Sequence, residues 1–394
     1  MTTLRPPVLV LGSGLTVLGA IRLLGRAGFD PLVVSDDPGV ARRSHWYRAA
    51  PRSRSSARPE SDLTAWLDGL PLERAPLLPC SDAWMLRAAS AAADVATRFP
   101  TSISSLATLE TLIDKWHLAG VLAELGLPHP RTISIDAATN VAGLPDSALD
   151  RAFIKPRDSQ RFCQEFGVKA FRVSSRAELA SRLDESSRRD LAVLLQEYVP
   201  GPAHNHFYVE GLIDGSGHRR ALFVRQRLRM YPADFGNSTY FESVAPSTIP
   251  DAVKTVDALL THLRFRGIFS VELKRDARDG VCRLLDVNAR PWWYVEFAGQ
   301  CGVDVCTMSV HDALGQPVSD VNSYCLGKTC VYPNYDYYSC RALRAAGELS
   351  LAGWASSWLK ATQPVLRWSD PLPALTSNAA RVGRFIARHF ARGR

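Results

Sequence analysis

GIFSVELKRDARDG (267–280) runs directly into VCRLLDVNARPWW (281–293). In both halves apolar residues alternate with polar ones, the pattern of strands with one buried face. Arg278-Asp279-Gly280 supplies a three-residue turn ending in a residue that accepts a left-handed backbone. That turn predicts Ala277 opposite Val281, Glu272 opposite Asp286 and Ser270 opposite Asn288. Side chains alternate across a sheet, so Glu272, Asp286 and Asn288 project from one face. Two facing carboxylates repel unless a cation lies between them. Oxygen ligands of this kind suit Mg²⁺, which keeps several waters and shares its site with phosphates. The plain alternative is a pair of solvated carboxylates on an exposed hairpin. Arg290, at Asn-x-Arg spacing, and the surrounding apolar residues favour the metal site.

At 394 residues the chain exceeds one ordinary core, so two or three domains are expected. A hydrophobic fraction of 46% with 22% charged residues is that of a soluble globular protein. The eight cysteines form no CxxC pair and no zinc-finger spacing, which points to a reducing compartment. The opening MTTLRPPVLVLGSG lacks the long apolar region of a signal peptide, and no run reaches membrane-spanning length. The expected location is the cytoplasm. The net charge of +8 fits anionic small molecules, an anionic membrane surface or nucleic acid. Nucleic acid is not expected, because no helix-turn-helix, zinc-finger or RNP-type signature occurs.

Outward from the hairpin, the expected fold class is α/β and α+β. Residues 1–105 read as a doubly wound α/β domain: a strand at 8–11, a turn at Gly12-Ser-Gly14, a helix over 15–26 and a strand at 31–36. Gly12, Gly14 and Gly19 miss the G-x-G-x-x-G spacing of dinucleotide sites. The glycines either shape the turn or receive a small anion. A helix is predicted over 108–126, strands at 151–156, 171–173 and 191–199, a hairpin over 206–229, and a helix over 250–264. The unit 106–315 divides into a small lobe, 106–190, and a large lobe, 191–315. Residues 316–394 form an extension.

Lys155 sits at a strand end, where an ammonium reaches phosphate oxygens as a point charge. Gln196-Glu197-Tyr198-Val199 sits at a strand end before Pro-Gly-Pro, as an interdomain connector would. Together with Asp114-Lys115, Phe153-Ile-Lys155-Pro156, Glu272 and Asp286-x-Asn288-x-Arg290, the order of parts across roughly 1–315 resembles the ATP-grasp superfamily. The resemblance implies ATP and Mg²⁺ (or Mn²⁺) as cofactors. It implies that Lys115 and Lys155 hold phosphates, and that Glu197 and Val199 offer backbone atoms to adenine, with Gln196 and Tyr198 beside them. It places His204 near ribose or phosphate, Glu272, Asp286 and Asn288 on the metal, and Arg290 at the γ-phosphate and the incipient acyl phosphate, with Lys155 as the second catalytic residue.

One departure stands out. The usual glycine-rich loop after the strand lysine is here PRDSQRFCQEFGVKA (156–170), with Ser159, Gln160 and Lys169 as substitute phosphate donors. In this the chain is similar to predicted carboxylate–amine ligases of the D-aspartate-ligase-like subgroup. The implied activity joins a small or lipid- or glycan-linked carboxylate to an amine through an acyl phosphate. Arg225, Arg227 and Arg229 alternate on a strand, where two of them either grip a carboxylate or face solvent. Gly236 and Ser238 offer close approach to the same substrate. RVGRFIARHFARGR (381–394) reads as a basic amphipathic helix. It either lies on an anionic membrane, with Trp354 and Trp358 at the interface, or packs on the body. Homodimer formation is left open. The competing functions are other ATP-grasp chemistry (carboxylation or phosphoryl transfer), a silent ATP-binding module, and an NAD(P) oxidoreductase built on the N-terminal domain.

Overall fold

The computed structural model describes residues 6–376 except 137, 158 and 234, and leaves out the side chains of 159 and 160. The predicted helix at 381–394 therefore lies outside the described residues, as do the side chains of Ser159 and Gln160.

Three sheets carry the fold. The first is parallel, in the order β3 (Arg48–Ala49), β2 (Asp30–Val34), β1 (Pro7–Leu11), β4 (Leu77–Pro79). The near-continuous apolar run of β1 is what a strand buried on both faces requires. The amides of Gly12 and Gly14 donate to the carbonyls of Val34 and Pro38. They are thus used by the turn itself. Gly19 lies where a Cβ would come within 3.0 Å of Val295, so the helix Gly14–Arg26 packs tightly on the helix Val295–Gln300.

The second sheet is antiparallel, in the order β5 (Thr132–Ile135), β8 (Val193–Glu197), β6 (Ala152–Pro156), β7 (Phe171–Val173). The third has six strands: β13 (Cys282–Asn288), β12 (Gly267–Arg275), β9 (His206–Ile213), β10 (Arg219–Tyr231), β11 (Asn237–Val244) and β14 (Thr329–Val331). Its last strand comes from beyond residue 315, so the extension is woven into the sheet's edge. Val209, Val271, Leu273 and Val287 turn one face of this sheet onto the helices Leu106–Ile113, Lys115–Glu124 and Pro250–His262. Period-2 alternation sends Tyr208, Glu210, Ser270 and Glu272 to the other face.

The helix predicted over 108–126 is two helices. Asp114 breaks it: its Oδ1 accepts from the amides of Trp116 (2.9 Å) and His117 (3.3 Å), the geometry of an N-cap. Lys115 therefore opens a helix instead of sitting inside one. The polar segment after Pro156 is the helix Ser159–Phe166, held by Phe162, which is fully buried against Phe166 and Phe171. The Ala-rich stretch after Ser81 likewise forms two helices, Asp82–Ala89 and Ala93–Arg98.

Candidate active site

The predicted pairings Ser270–Asn288 and Glu272–Asp286 are present, by a route the sequence did not indicate. The turn holds four residues, not three: the Asp276 amide donates to the Val281 carbonyl (2.9 Å), and Gly280 donates back to Asp276 (2.8 Å). That would shift the register by one. A bulge at Leu285 absorbs the extra residue between Leu273–Leu284 and Glu272–Asp286. The bulge leaves the Leu285 carbonyl outside the ladder, and Lys155 Nζ donates to it at 2.8 Å. Lys155 thereby meets the carboxylate pair from the opposite sheet. Removal from water lowers the Lys155 pKa, the nearby Asp286 carboxylate opposes that shift, and Lys115 adds to it.

The two antiparallel sheets enclose a cleft of about 1310 Å³, bordered by the predicted nucleotide, metal and substrate residues except His204 and Arg229, with the side chains of Ser159 and Gln160 outside those described. His204 is an exposed turn residue whose carbonyl accepts from Gln226 Nε2 (2.6 Å); its neighbour His206, two residues on in β9, lines the cleft instead. The cleft is larger than the roughly 300–1,000 Å³ typical of a single-ligand pocket.

Glu272 is the centre of a charged cluster. Its Oε1 accepts from Tyr208 Oη (2.9 Å) and Arg227 Nη2 (3.0 Å), while His206 Nδ1 stands 3.2 Å away. Burial pushes the Glu272 carboxyl up, but the Arg227 guanidinium, with Lys169 further off, outweighs it and holds the carboxyl well below its usual range. Arg227 Nη1 lies 3.0 Å from His206 Nδ1. A guanidinium only donates, so Nδ1 accepts and the ring proton resides on Nε2. Burial, reinforced by Arg227, takes the His206 pKa down to about 4, so the ring is neutral near pH 7. Asp286 and Glu272 Oε2 have no hydrogen-bond partner among the described residues. Asn288 Oδ1 accepts from Arg290 Nη2 at 3.0 Å. Among the described residues no three His, Cys, Asp or Glu side chains form a metal cluster. Two carboxylates and an amide suit an ion that takes its remaining ligands from water and phosphates.

The arginines depart from their expected role. Arg227 is committed to Ser238 Oγ (2.9 Å), Tyr208 and Glu272 and is not free to grip a substrate, whereas Ser238 keeps its own O–H at the cleft. Arg225 forks onto buried Glu210 (3.0 and 3.2 Å), stacks over Tyr208, and keeps only Nη1 unbonded. Arg229 is drawn away by a bulge after Arg227 and pairs with Asp336 (2.8 and 2.7 Å). Gly236 is required by its own loop: a Cβ there would lie 2.1 Å from the Pro232 carbonyl. Three buried donors at the cleft lack partners among the described residues: Arg225 Nη1, His206 Nε2 and Trp292 Nε1.

At the connector after β8, the amides of Glu197 and Tyr198 are used by the carbonyls of Arg131 and Arg151, whereas the Val199 amide donates to no described residue. Gln196 Nε2 donates to Thr132 (2.9 Å). Phe235 closes over this end, 4.8 Å from the Phe153 ring. Below it, Arg278 pairs with Glu197 (2.6 Å) and with buried Asp276 (2.5 Å), which also meets Arg283 (2.8 Å). Burial pushes the Asp276 carboxyl up, but the Arg278 and Arg283 contacts overcome it and leave the pKa below normal. A carboxylate lowered in the folded state contributes stability above its unfolded pKa, lost as pH falls through the folded value. Asp276→Asn is therefore expected to cost about 2 kcal/mol at pH 7, with the deficit shrinking below about pH 4. Urea melts at the two pH values check this.

On the phosphate side, Lys115 Nζ is 3.4 Å from the Arg157 carbonyl, and Arg157 pairs with Asp114. Lys169 Nζ reaches Asn237 at 2.5 Å. Arg290 is held by Asp82, at the start of its helix in the first 105 residues (2.7 and 3.3 Å). Nothing in the sequence linked these two. Asp82→Ala is expected to lower turnover about tenfold by freeing Arg290, with Asp82→Glu recovering most of it. Steady-state kinetics alongside melting curves would separate this from loss of fold.

No protein-family model matches the chain. A curated D-aspartate ligase from Enterococcus faecium (strain Aus0004) is 24% identical over 225 residues, 54% of this chain and 52% of that protein. The match thus spans about half the length of the curated relative. Among solved structures, an L-amino acid ligase from Bacillus licheniformis aligns with a TM-score of 0.56 at 17% identity, over 79% of this chain and 74% of that one. N5-carboxyaminoimidazole synthase from Aspergillus clavatus, with ADP and 5-aminoimidazole ribonucleotide, gives 0.60 at 12% over 82% and 80%. Biotin carboxylase from Campylobacter jejuni gives 0.61 at 14% over 82% and 74%. The chain has the ATP-grasp fold.

Proposed function

From that fold, we propose that the chain is an ATP-dependent carboxylate–amine ligase, releasing ADP and phosphate. The observation that carries the reading is the meeting of Lys155 with the Glu272–Asp286 pair through the Leu285 bulge. Lys155 and Lys115 bind phosphates from the small-lobe side, Lys169 from the loop, and Arg290 from the far side, steadied by Asp82. The connector from Gln196 to Val199 takes adenine, with the Val199 amide as its open donor.

Glu272, Asp286 and Asn288 would hold Mg²⁺, or Mn²⁺, which supplies charge neutralisation on the transferring phosphoryl group. A substrate carboxylate oxygen attacks the γ-phosphorus, the β–γ bridging bond breaks, and ADP leaves. The cationic side chains stabilise the charge carried by the equatorial oxygens. The amine nitrogen then attacks the acyl carbon, the bond to phosphate oxygen breaks, and the nitrogen gives up a proton. Phe235 on Phe153 and Asn237 on Lys169 tie the 235–237 loop to the small lobe, which keeps water from the acyl phosphate. The three unpartnered donors, Arg225 Nη1, His206 Nε2 and Trp292 Nε1, support a polar co-substrate at the inner end of the cleft. The amino-acid substrates named for the similar ligases are the first to try.

Carboxylation is the second reading, since a carboxylase and a carboxyaminoimidazole synthase share the fold. A phosphate-release screen with ATP and Mg²⁺ over amino acids, other acids and amines, with bicarbonate as a separate arm, tests both. A product mass equal to acid plus amine less water supports the ligase. Release only with bicarbonate replaces it.

A further inference from the structure

Twelve large apolar side chains are exposed among the described residues, and eight of them lie between 326 and 375. The helix Leu351–Leu359 buries none of its residues. It is fastened by one side: the indole N–H groups of Trp354 and Trp358 both donate to Asp336 Oδ2 (2.8 and 2.9 Å), the fully buried carboxylate that also holds Arg229. The two tryptophans face the body and are not interface anchors. Leu351, Ala352, Ala355 and Leu359 are left outward, and Leu359 is 85% exposed. Beside this helix, Tyr337 and Tyr338 are exposed, and Tyr338 stacks on Tyr231 (5.2 Å), which ends β10 just before the loop bearing Phe235 at the cleft.

Charge is concentrated in the same part of the sequence. Residues 341–394 hold nine Arg or Lys against two Asp or Glu, so seven of the eight net positive charges fall there. Of these, Arg341, Arg344 and Lys360 are exposed on the helix bearing Tyr337 and Tyr338 and at the end of the helix Leu351–Leu359. Leucines and tyrosines on the same two helices as exposed basic side chains match the acyl–headgroup boundary of an anionic bilayer. A nucleic acid would use the arginines and leave the leucines in water. We propose that the outward side of the helix Leu351–Leu359, with Tyr337 and Tyr338, docks on an anionic lipid surface and brings the cleft mouth against it.

The test is co-sedimentation of the full chain with phosphatidylcholine vesicles, with and without phosphatidylglycerol, at low and high salt. The expected result is binding that requires phosphatidylglycerol and weakens with salt. The Leu351→Ser/Leu359→Ser double variant should lose about tenfold or more in vesicle affinity, the loss of at least one leucine-sized contact. Both positions are exposed, so its melting temperature should match wild type. Failure of the full chain to bind overturns the proposal, including the case in which residues 377–394 cover this helix within the molecule. Binding that the double variant retains in full also overturns it and points to a general polyanion site. Neither outcome bears on the ligase reading, which the phosphate-release screen tests separately.

Discussion

Asp286→Ala is expected to lower ATP-dependent turnover by about 10³-fold or more while leaving the protein as stable as wild type, or slightly more so. The two effects have one cause. Asp286 faces Glu272 across the hairpin and makes no hydrogen bond among the described residues. Removing it strands no hydrogen-bond donor, and the relief of its repulsion with Glu272 offsets the loss of its attraction to Lys155. A carboxylate set against another carboxylate with no hydrogen-bond donor of its own is retained for what it binds. Phosphate release with a substrate pair from the screen, together with thermal melts, measures both effects. Parallel loss of stability and activity would mean that Asp286 is structural.

Lys155→Met should be as damaging to turnover, again by about 10³-fold, for a different reason. Methionine keeps the length of the side chain and removes the charge. The Leu285 carbonyl loses its donor, at a net cost of about 1 kcal/mol, partly offset because an ammonium is no longer held out of water. Lys155→Arg should not restore activity, since a planar fork cannot replace a compact point charge on a phosphate. Single-turnover ADP formation separates loss of chemistry from weakened nucleotide binding.

The parts that sequence made legible are those set by local alternation. Glu272, Asp286 and Asn288 share a face because period 2 dictates it, and the predicted pairing is present although the turn has four residues. Turn and bulge each add one residue and cancel, and no pattern in RDARDGVCRLLD distinguishes that from a simple hairpin. His204 and His206 show the limit of the same rule. His206, Tyr208 and Glu210 alternate on β9, but the sequence does not say where the strand begins. His206, and not the predicted His204, stands beside Glu272. Asp114 was read as part of a helix, although aspartate before a helical run is an N-cap signal in its own right.

Contacts between distant segments had no local signature. Asp82 meets Arg290 across 208 positions, and Arg229 meets Asp336 across 107. Arg225 and Arg227 alternate as a carboxylate clamp would, and the carboxylates they clamp belong to the chain itself: Glu210 and Glu272. Glu210 stands on β9 and Glu272 on β12, so the partners of the alternating basic strand come singly from two other strands, and the sequence alone could not tell them from a substrate. Glycines were ambiguous for a similar reason. Gly19 serves helix packing and Gly236 its own loop, uses that only the neighbouring backbone defines.

Titration calorimetry of ADP into the wild-type chain and into Asp286→Ala, each with Mg²⁺ and with the metal chelated, tests the nucleotide site most directly. The account predicts saturable one-site binding to the wild type that weakens when Mg²⁺ is removed, and little dependence on Mg²⁺ in the variant. No heat from the wild type, or equal affinity in all four titrations, would contradict it.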